Sequence, residues 1–154
     1  MSDPLEALQG VVNACLVAPG LLTGGQPEPR HLQALAAGGG GVVLDIRDPM
    51  EPRSFDEPGD ATRLGLEYVN VPVTPGTLTD QTLERILGVL RGAGGRTVFF
   101  HCGSGNRVGG ALIPWFILDR GMDEEAAVEQ AMRVGLRSPE MMQWGLEYAR
   151  RVGE

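Results

Sequence analysis

Lysine is absent from the 154-residue chain, and all thirteen basic residues are arginine. That excludes Schiff-base chemistry, pyridoxal-phosphate enzymes and the lysine-dependent phosphate loop of nucleotide-binding proteins. Cysteine and histidine number two each and are widely separated, which rules out a usual structural zinc site. A mechanism without metal or cofactor is therefore expected. No apolar run reaches membrane-spanning length, and Met1-Ser2-Asp3-Pro4-Leu5-Glu6 lacks the basic and apolar segments of a signal peptide. The expectation is a cytoplasmic protein with no membrane partner and reduced cysteines. A net charge of -7 suits non-specific nucleic-acid binding poorly, so no nucleic-acid partner is expected.

What is present centres on one stretch, Thr97-Val98-Phe99-Phe100-His101-Cys102-Gly103-Ser104-Gly105-Asn106-Arg107. It begins as a β-branched and aromatic run, the pattern of a buried strand, and passes through a glycine-interrupted turn into a helical stretch over 111–118. Strand, tight loop and helix make an anion cradle. Gly103 and Gly105 let backbone N–H groups turn inward, and the helix N-terminus adds its positive end. Cys102 enters at the mouth and Arg107 closes the ring. A field that holds an oxyanion also favours a thiolate, which makes Cys102 the candidate nucleophile.

The rest of the chain supplies a scaffold, expected as one domain over residues 1–154. Residues 5–16 are mildly amphipathic, 21–22 are strand-like, and the turn over 24–29 opens a helix over 30–37. Four glycines at 38–41 form a connector into a buried strand over 42–47. The polar, Pro-rich segment 48–59 reads as a surface loop, followed by a short helix over 60–64 and a strand over 66–73. Thr79 caps a helix over 80–90, and further helices are expected from 122 to 134 and from 139 to 151. The alternation predicts an α/β fold, a mostly parallel central sheet flanked by helices. Ligands of such sheets bind beyond the carboxyl ends of the strands, where Cys102 lies.

With Leu22-Thr23-Gly24-Gly25-Gln26-Pro27, Val42 to Arg47, Tyr68 to Val73 and His101 to Arg107 in this order, the sequence resembles the cysteine-dependent phosphatase superfamily with the dual-specificity-phosphatase-like fold. Within it, the chain is most similar to the bacterial beta-lactamase hydrolase-like (DUF442) branch. The resemblance implies a phosphatase that acts on a phosphorylated or other oxyanionic substrate through a phosphocysteine intermediate. Cys102 would be the nucleophile, Arg107 a bidentate oxyanion clamp, and the amides of Gly103, Ser104, Gly105, Asn106 and Arg107 the cradle. His101 would orient the loop and support the thiolate.

Three features depart from the pattern. Four residues rather than five separate Cys102 from Arg107, so the ring is tighter by one amide. Val108 stands where a Ser or Thr usually helps the thiolate leave. The loop after Val73 reads Thr74-Pro75-Gly76-Thr77, with no Asp to serve as general acid. Asp80 reads as a helix-start residue. Asp48, beyond the carboxyl end of a neighbouring strand, is the substitute candidate acid, a turn-forming role being its alternative. Arg47 is either a second oxyanion contact or a partner for Asp45. The same cysteine would also suit a persulfide-handling sulfurtransferase or sulfur carrier, or a non-catalytic binder of phosphorylated or anionic ligands.

Overall fold

The computed structural model describes residues 3–153. A five-stranded sheet lies at its centre, in the spatial order β1 (Cys15–Ala18), β2 (Leu21–Gly24), β5 (Val98–His101), β3 (Val42–Asp45), β4 (Glu67–Asn70). β1 runs antiparallel to β2, and the remaining three pairings are parallel, as expected of a mostly parallel sheet. The apolar run of β5 takes the middle position, where all four of its residues are buried.

Successive side chains of a strand point to opposite faces, so each strand feeds two cores. Leu44 and Phe100 face α3 (Asp80–Arg91), α4 (Asn106–Pro114), α5 (Glu124–Val134) and α6 (Pro139–Val152), where they join Ile86, Leu87, Leu112, Ile113, Ala131 and Trp144. Leu22, Val43 and Phe99 face the other way, onto Leu8 of a 3-10 turn (Pro4–Leu8), Leu32 and Leu35 of α1 (Pro29–Ala37), and Ala61 of α2 (Glu57–Arg63).

Three expectations need correction. Residues 5–16 divide into the 3-10 turn and the start of β1, because Gly10 and Asn13 adopt positive φ and redirect the chain. The expected loop over 48–59 yields its end to α2, which starts at Glu57 and not at residue 60. Asp56 caps it by accepting from the Gly59 N–H at 3.1 Å, with Pro58 in the first turn, where its missing N–H costs nothing. Finally, the helix expected over 111–118 begins at Asn106, and Pro114 lies at its end rather than in its first turns. There it cannot donate, and the chain widens into a π turn (Trp115–Asp119) closed by Arg120 N–H on the Trp115 carbonyl at 3.2 Å.

α4 and α6 cross at close quarters through glycines. A Cβ on Gly110 would lie 2.8 Å from the Met141 carbonyl oxygen, and one on Gly145 would overlap the Gly110 carbonyl. This crossing fixes the helix that carries the cradle. Gly145→Ala is expected to destabilise the fold by about 1–3 kcal/mol through overpacking, outweighing the ~1 kcal/mol gain in helix propensity. Thermal unfolding checks it; an unchanged or raised Tm would mean the crossing gives way without cost.

Candidate active site

Three parallel strands end together. Gly24 of β2 and Asp45 of β3 are both level with His101 of β5 in the sheet register. The segments leaving them are stitched to one another: Cys102 N–H donates to the Gly24 carbonyl at 3.2 Å, Gln26 N–H to the Gly103 carbonyl at 3.1 Å, and Ile46 N–H to the His101 carbonyl at 3.1 Å. Gly25 permits this approach, since a Cβ there would lie 2.5 Å from the Gly103 oxygen.

The cradle turns on Gly105, which holds φ +97° at the N-terminus of α4 and donates its N–H to Cys102 Sγ at 3.1 Å. Only 1% of Cys102 is exposed. The Ser104 carbonyl accepts from the Asn13 side chain at 2.7 Å. Asn106 Oδ1 accepts from the N–H groups of Arg137 (2.7 Å) and Ser138 (3.0 Å). The loop is thus braced on one side by the segment before β1 and on the other by the turn between α5 and α6. Val108, one residue past Arg107, is buried in the core.

Arg107 donates through Nη1 to Glu51 Oε2 at 2.7 Å and through Nη2 to Oε1 at 3.1 Å, a fork-on-fork pair. Glu51 is further held by the Asp48 N–H at 2.7 Å and Arg47 Nε at 3.2 Å. The hydrogen bonds from Arg107 lead, against the opposing effect of burial, in lowering the Glu51 carboxyl from 4.5 to about 2, with Asp48 N–H and Arg47 assisting. Burial opposes the charge on Arg107, but Glu51 and then the neighbouring Cys102 outweigh it, so the guanidinium holds its proton more tightly than usual.

A second, buried layer lies beneath. His101 Nδ1 meets the Cys102 carbonyl at 3.1 Å, and its Nε2 meets Glu57 Oε2 at 2.5 Å. Arg53 bridges Asp45 (2.6 Å) and Glu57 (2.8 Å), and the Tyr68 hydroxyl donates to Asp45 at 2.6 Å. Burial, reinforced by that carboxylate, pushes the Tyr68 phenol well up. Donor atoms of Asp45, Glu57 and His101 lie within 4.8 Å of one another, a spacing that suits a cation; the Arg53 guanidinium fills that role.

The structure therefore brings Cys102, His101, Arg107 and the loop from Gly103 to Asn106 into one place. Asp48 belongs to the adjoining loop, but its carboxylate accepts from the Met50 N–H at 3.0 Å and shapes the turn; the loop carboxylate that reaches Arg107 is Glu51. Arg47 pairs with Asp45 through its backbone N–H (2.9 Å), while its guanidinium supports Glu51, Gln26 and the Pro52 carbonyl. Asp80 sits in the first turn of α3 and pairs with Arg151 at the surface. The Thr74 loop closes on itself through Thr77. Gln26, Arg53 and Glu57 escaped the sequence reading as site residues. Glu51 lies in the loop over 47–51 that the sequence offers as a source of an acid, where Asp48 is preferred.

No protein-family model matches the chain, and no curated protein does. Solved structures do. A putative phosphatase (DUF442) from Shewanella putrefaciens CN-32 superposes with a TM-score of 0.82 at 21% identity, over 97% of this chain and 99% of that one. P. aeruginosa TpbA in a complex with pTyr gives 0.71 at 19% identity, over 97% and 86%. PTPMT1 in complex with PI(5)P gives 0.77 at 16% identity, over 91% and 96%. The chain has the fold of these phosphatases, the dual-specificity-phosphatase-like α/β arrangement its motifs imply.

Because the Glu51 carboxyl is depressed in the folded protein, folding favours its ionised form. That stability is full above about pH 5 and is lost as pH falls through about 2, with a magnitude on the order of 2 kcal/mol once solvent screening of the partly exposed pair is discounted. Wild type should lead Glu51→Gln in denaturant unfolding at neutral pH and lose that lead toward about pH 2. A gap that persists unchanged at low pH would show that the carboxylate charge is not what holds Arg107.

Proposed function

We propose that the protein is a cysteine-dependent phosphatase of phosphate monoesters. The observation that carries this reading is the Gly105 N–H on Cys102 Sγ at the N-terminus of α4, with Arg107 closing the same loop. The thiolate of Cys102 attacks phosphorus, an S–P bond forms, and the ester P–O bond breaks with its electron pair leaving on the alcohol oxygen. Water then attacks phosphorus, the S–P bond breaks, and inorganic phosphate and the thiolate are regenerated. Backbone N–H groups of the loop and Arg107 stabilise the charge on the phosphoryl oxygens as it develops. The pTyr and PI(5)P found with TpbA and PTPMT1 are both phosphate monoesters, which supports the substrate class.

The leaving oxygen needs a proton, and the loop carboxylates are committed elsewhere. Glu51 is held ionised by Arg107, Asp48 shapes its own turn, and Asp80 pairs with Arg151. General-acid catalysis contributes about 10²–10⁴-fold. Activated aryl phosphates such as nitrophenyl phosphate, whose leaving group barely needs the proton, should therefore be hydrolysed faster than alkyl phosphates such as phosphoserine by a factor in that range. The four-residue loop also suits a persulfide, so thiosulfate with cyanide is assayed in parallel. Steady-state rates on nitrophenyl phosphate, phosphoserine and thiosulfate decide. Equal rates on the two phosphates would mean that an acid is in place, and thiocyanate formation without phosphate release would replace this reading by sulfur transfer.

A further inference from the structure

His101 presents both ring nitrogens to acceptors. Nδ1 faces the Cys102 carbonyl, which can only accept, so Nδ1 carries a proton. Nε2 lies 2.5 Å from Glu57 Oε2, and a proton must sit between them, because two lone pairs at that distance repel. Its owner follows from the surroundings. Imidazole is a stronger base than a carboxylate, and Glu57 is used on both oxygens as an acceptor, with Oε1 taking Arg53 (2.8 Å) and Gln26 Nε2 (2.7 Å). Charge counting agrees. Asp45 and Glu57 bring two negative charges into the interior, Arg53 brings one positive, and a charged His101 balances the cluster. Phe99 stacks on the ring with centroids 5.1 Å apart, an aromatic surface that tolerates a cation. Tyr68, from β4, contributes a donor to Asp45 and no charge.

We propose that Glu57 is a positioning residue that keeps His101 doubly protonated, placing a buried positive charge directly behind Cys102. The inference rests on Cys102 being the nucleophile only for its consequence, since the protonation itself is a property of the folded chain. Glu57 is completely buried, in a segment whose other carboxylates are partly or fully exposed, and its side chain is spent entirely on this cluster. Through Gln26 it is also joined to the clamp, because Gln26 Oε1 accepts from Arg47, which in turn supports Glu51 and Arg107. One carboxylate thus sets the charge behind the thiol and anchors one end of the chain of side chains that ends at the clamp.

The protein carries its own reference. His31, the other histidine, accepts the Glu28 N–H on Nδ1 at 2.9 Å and meets the Gln9 carbonyl through Nε2 at 2.7 Å, so it must be the neutral Nε2–H form. Nitrogen-15 NMR of the wild-type protein at neutral pH should show one histidine with a single protonated ring nitrogen and one, His101, with both. A His101 spectrum like that of His31 would overturn the proposal. In Glu57→Gln the amide can donate to Nε2, leaving a neutral His101 that keeps its bond to Cys102. The Nε2 proton signal should vanish, and the ultraviolet thiolate absorbance of Cys102 at neutral pH, read against Cys102→Ser, should fall. A folded Glu57→Gln with unchanged thiolate absorbance would also overturn it. If that variant does not fold, the wild-type spectrum still decides. A doubly protonated His101 in a protein without phosphatase activity would support this inference and count only against the proposed reaction.

Discussion

A guanidinium brought into a half-buried loop must be given a counter-charge, and that constraint organises the residues beyond the carboxyl ends of the parallel strands. Arg107 cannot give up its proton, so its partial burial would destabilise the fold were no carboxylate supplied. Glu51 supplies it from a loop 56 residues upstream, in bidentate geometry. The carboxylate in turn needs positioning, and Arg47 and the Asp48 N–H provide it. Each charge on this surface is held by the next.

The same logic repeats one layer down. Asp45, Arg53, Glu57 and His101 form a buried cluster at the ends of β3 and β5, and Gln26 links it to the upper layer by donating to Glu57 and accepting from Arg47. The three strand ends that carry these residues are level in the sheet, so the arrangement is a product of register as much as of side-chain choice. Slipping β3 by one residue would turn Asp45 to the other face of the sheet and out of the cluster.

The strand, tight turn and helix start around Cys102 were legible in the sequence, because a β-branched and aromatic run, two glycines, a cysteine and an arginine within eleven residues carry their geometry locally. So was the mostly parallel sheet, through its buried apolar runs. The side chains that brace the Cys102 turn from beneath were not. Gln26 was visible as part of a Gly-Gly-Gln-Pro turn, yet nothing local reveals that Gly25 must press against Gly103 or that the glutamine amide faces both layers. Glu57 lies in a polar, Pro-rich stretch where a carboxylate is ordinarily solvated, and its complete burial follows only from the first turn of α2 bringing it against His101 at the end of β5. Asp48 and Glu51 are three residues apart on one loop. Sequence alone favoured the former, and the turn that Asp48 forms with Met50 is what delivers the latter to Arg107. β1 went unread because four residues at a sheet edge, largely half-buried, show no alternation.

Everything rests on Cys102 taking up a phosphoryl group, and the most direct measurement is the intact mass of the protein quenched in acid during turnover of an aryl phosphate. Val108 offers no hydroxyl to help the thiolate depart, so the intermediate should accumulate. Wild type is predicted to carry one added phosphoryl group that peptide mapping places on Cys102, and Cys102→Ser to release no phosphate. Phosphate release by wild type without any adduct, undiminished in Cys102→Ser, would contradict the account.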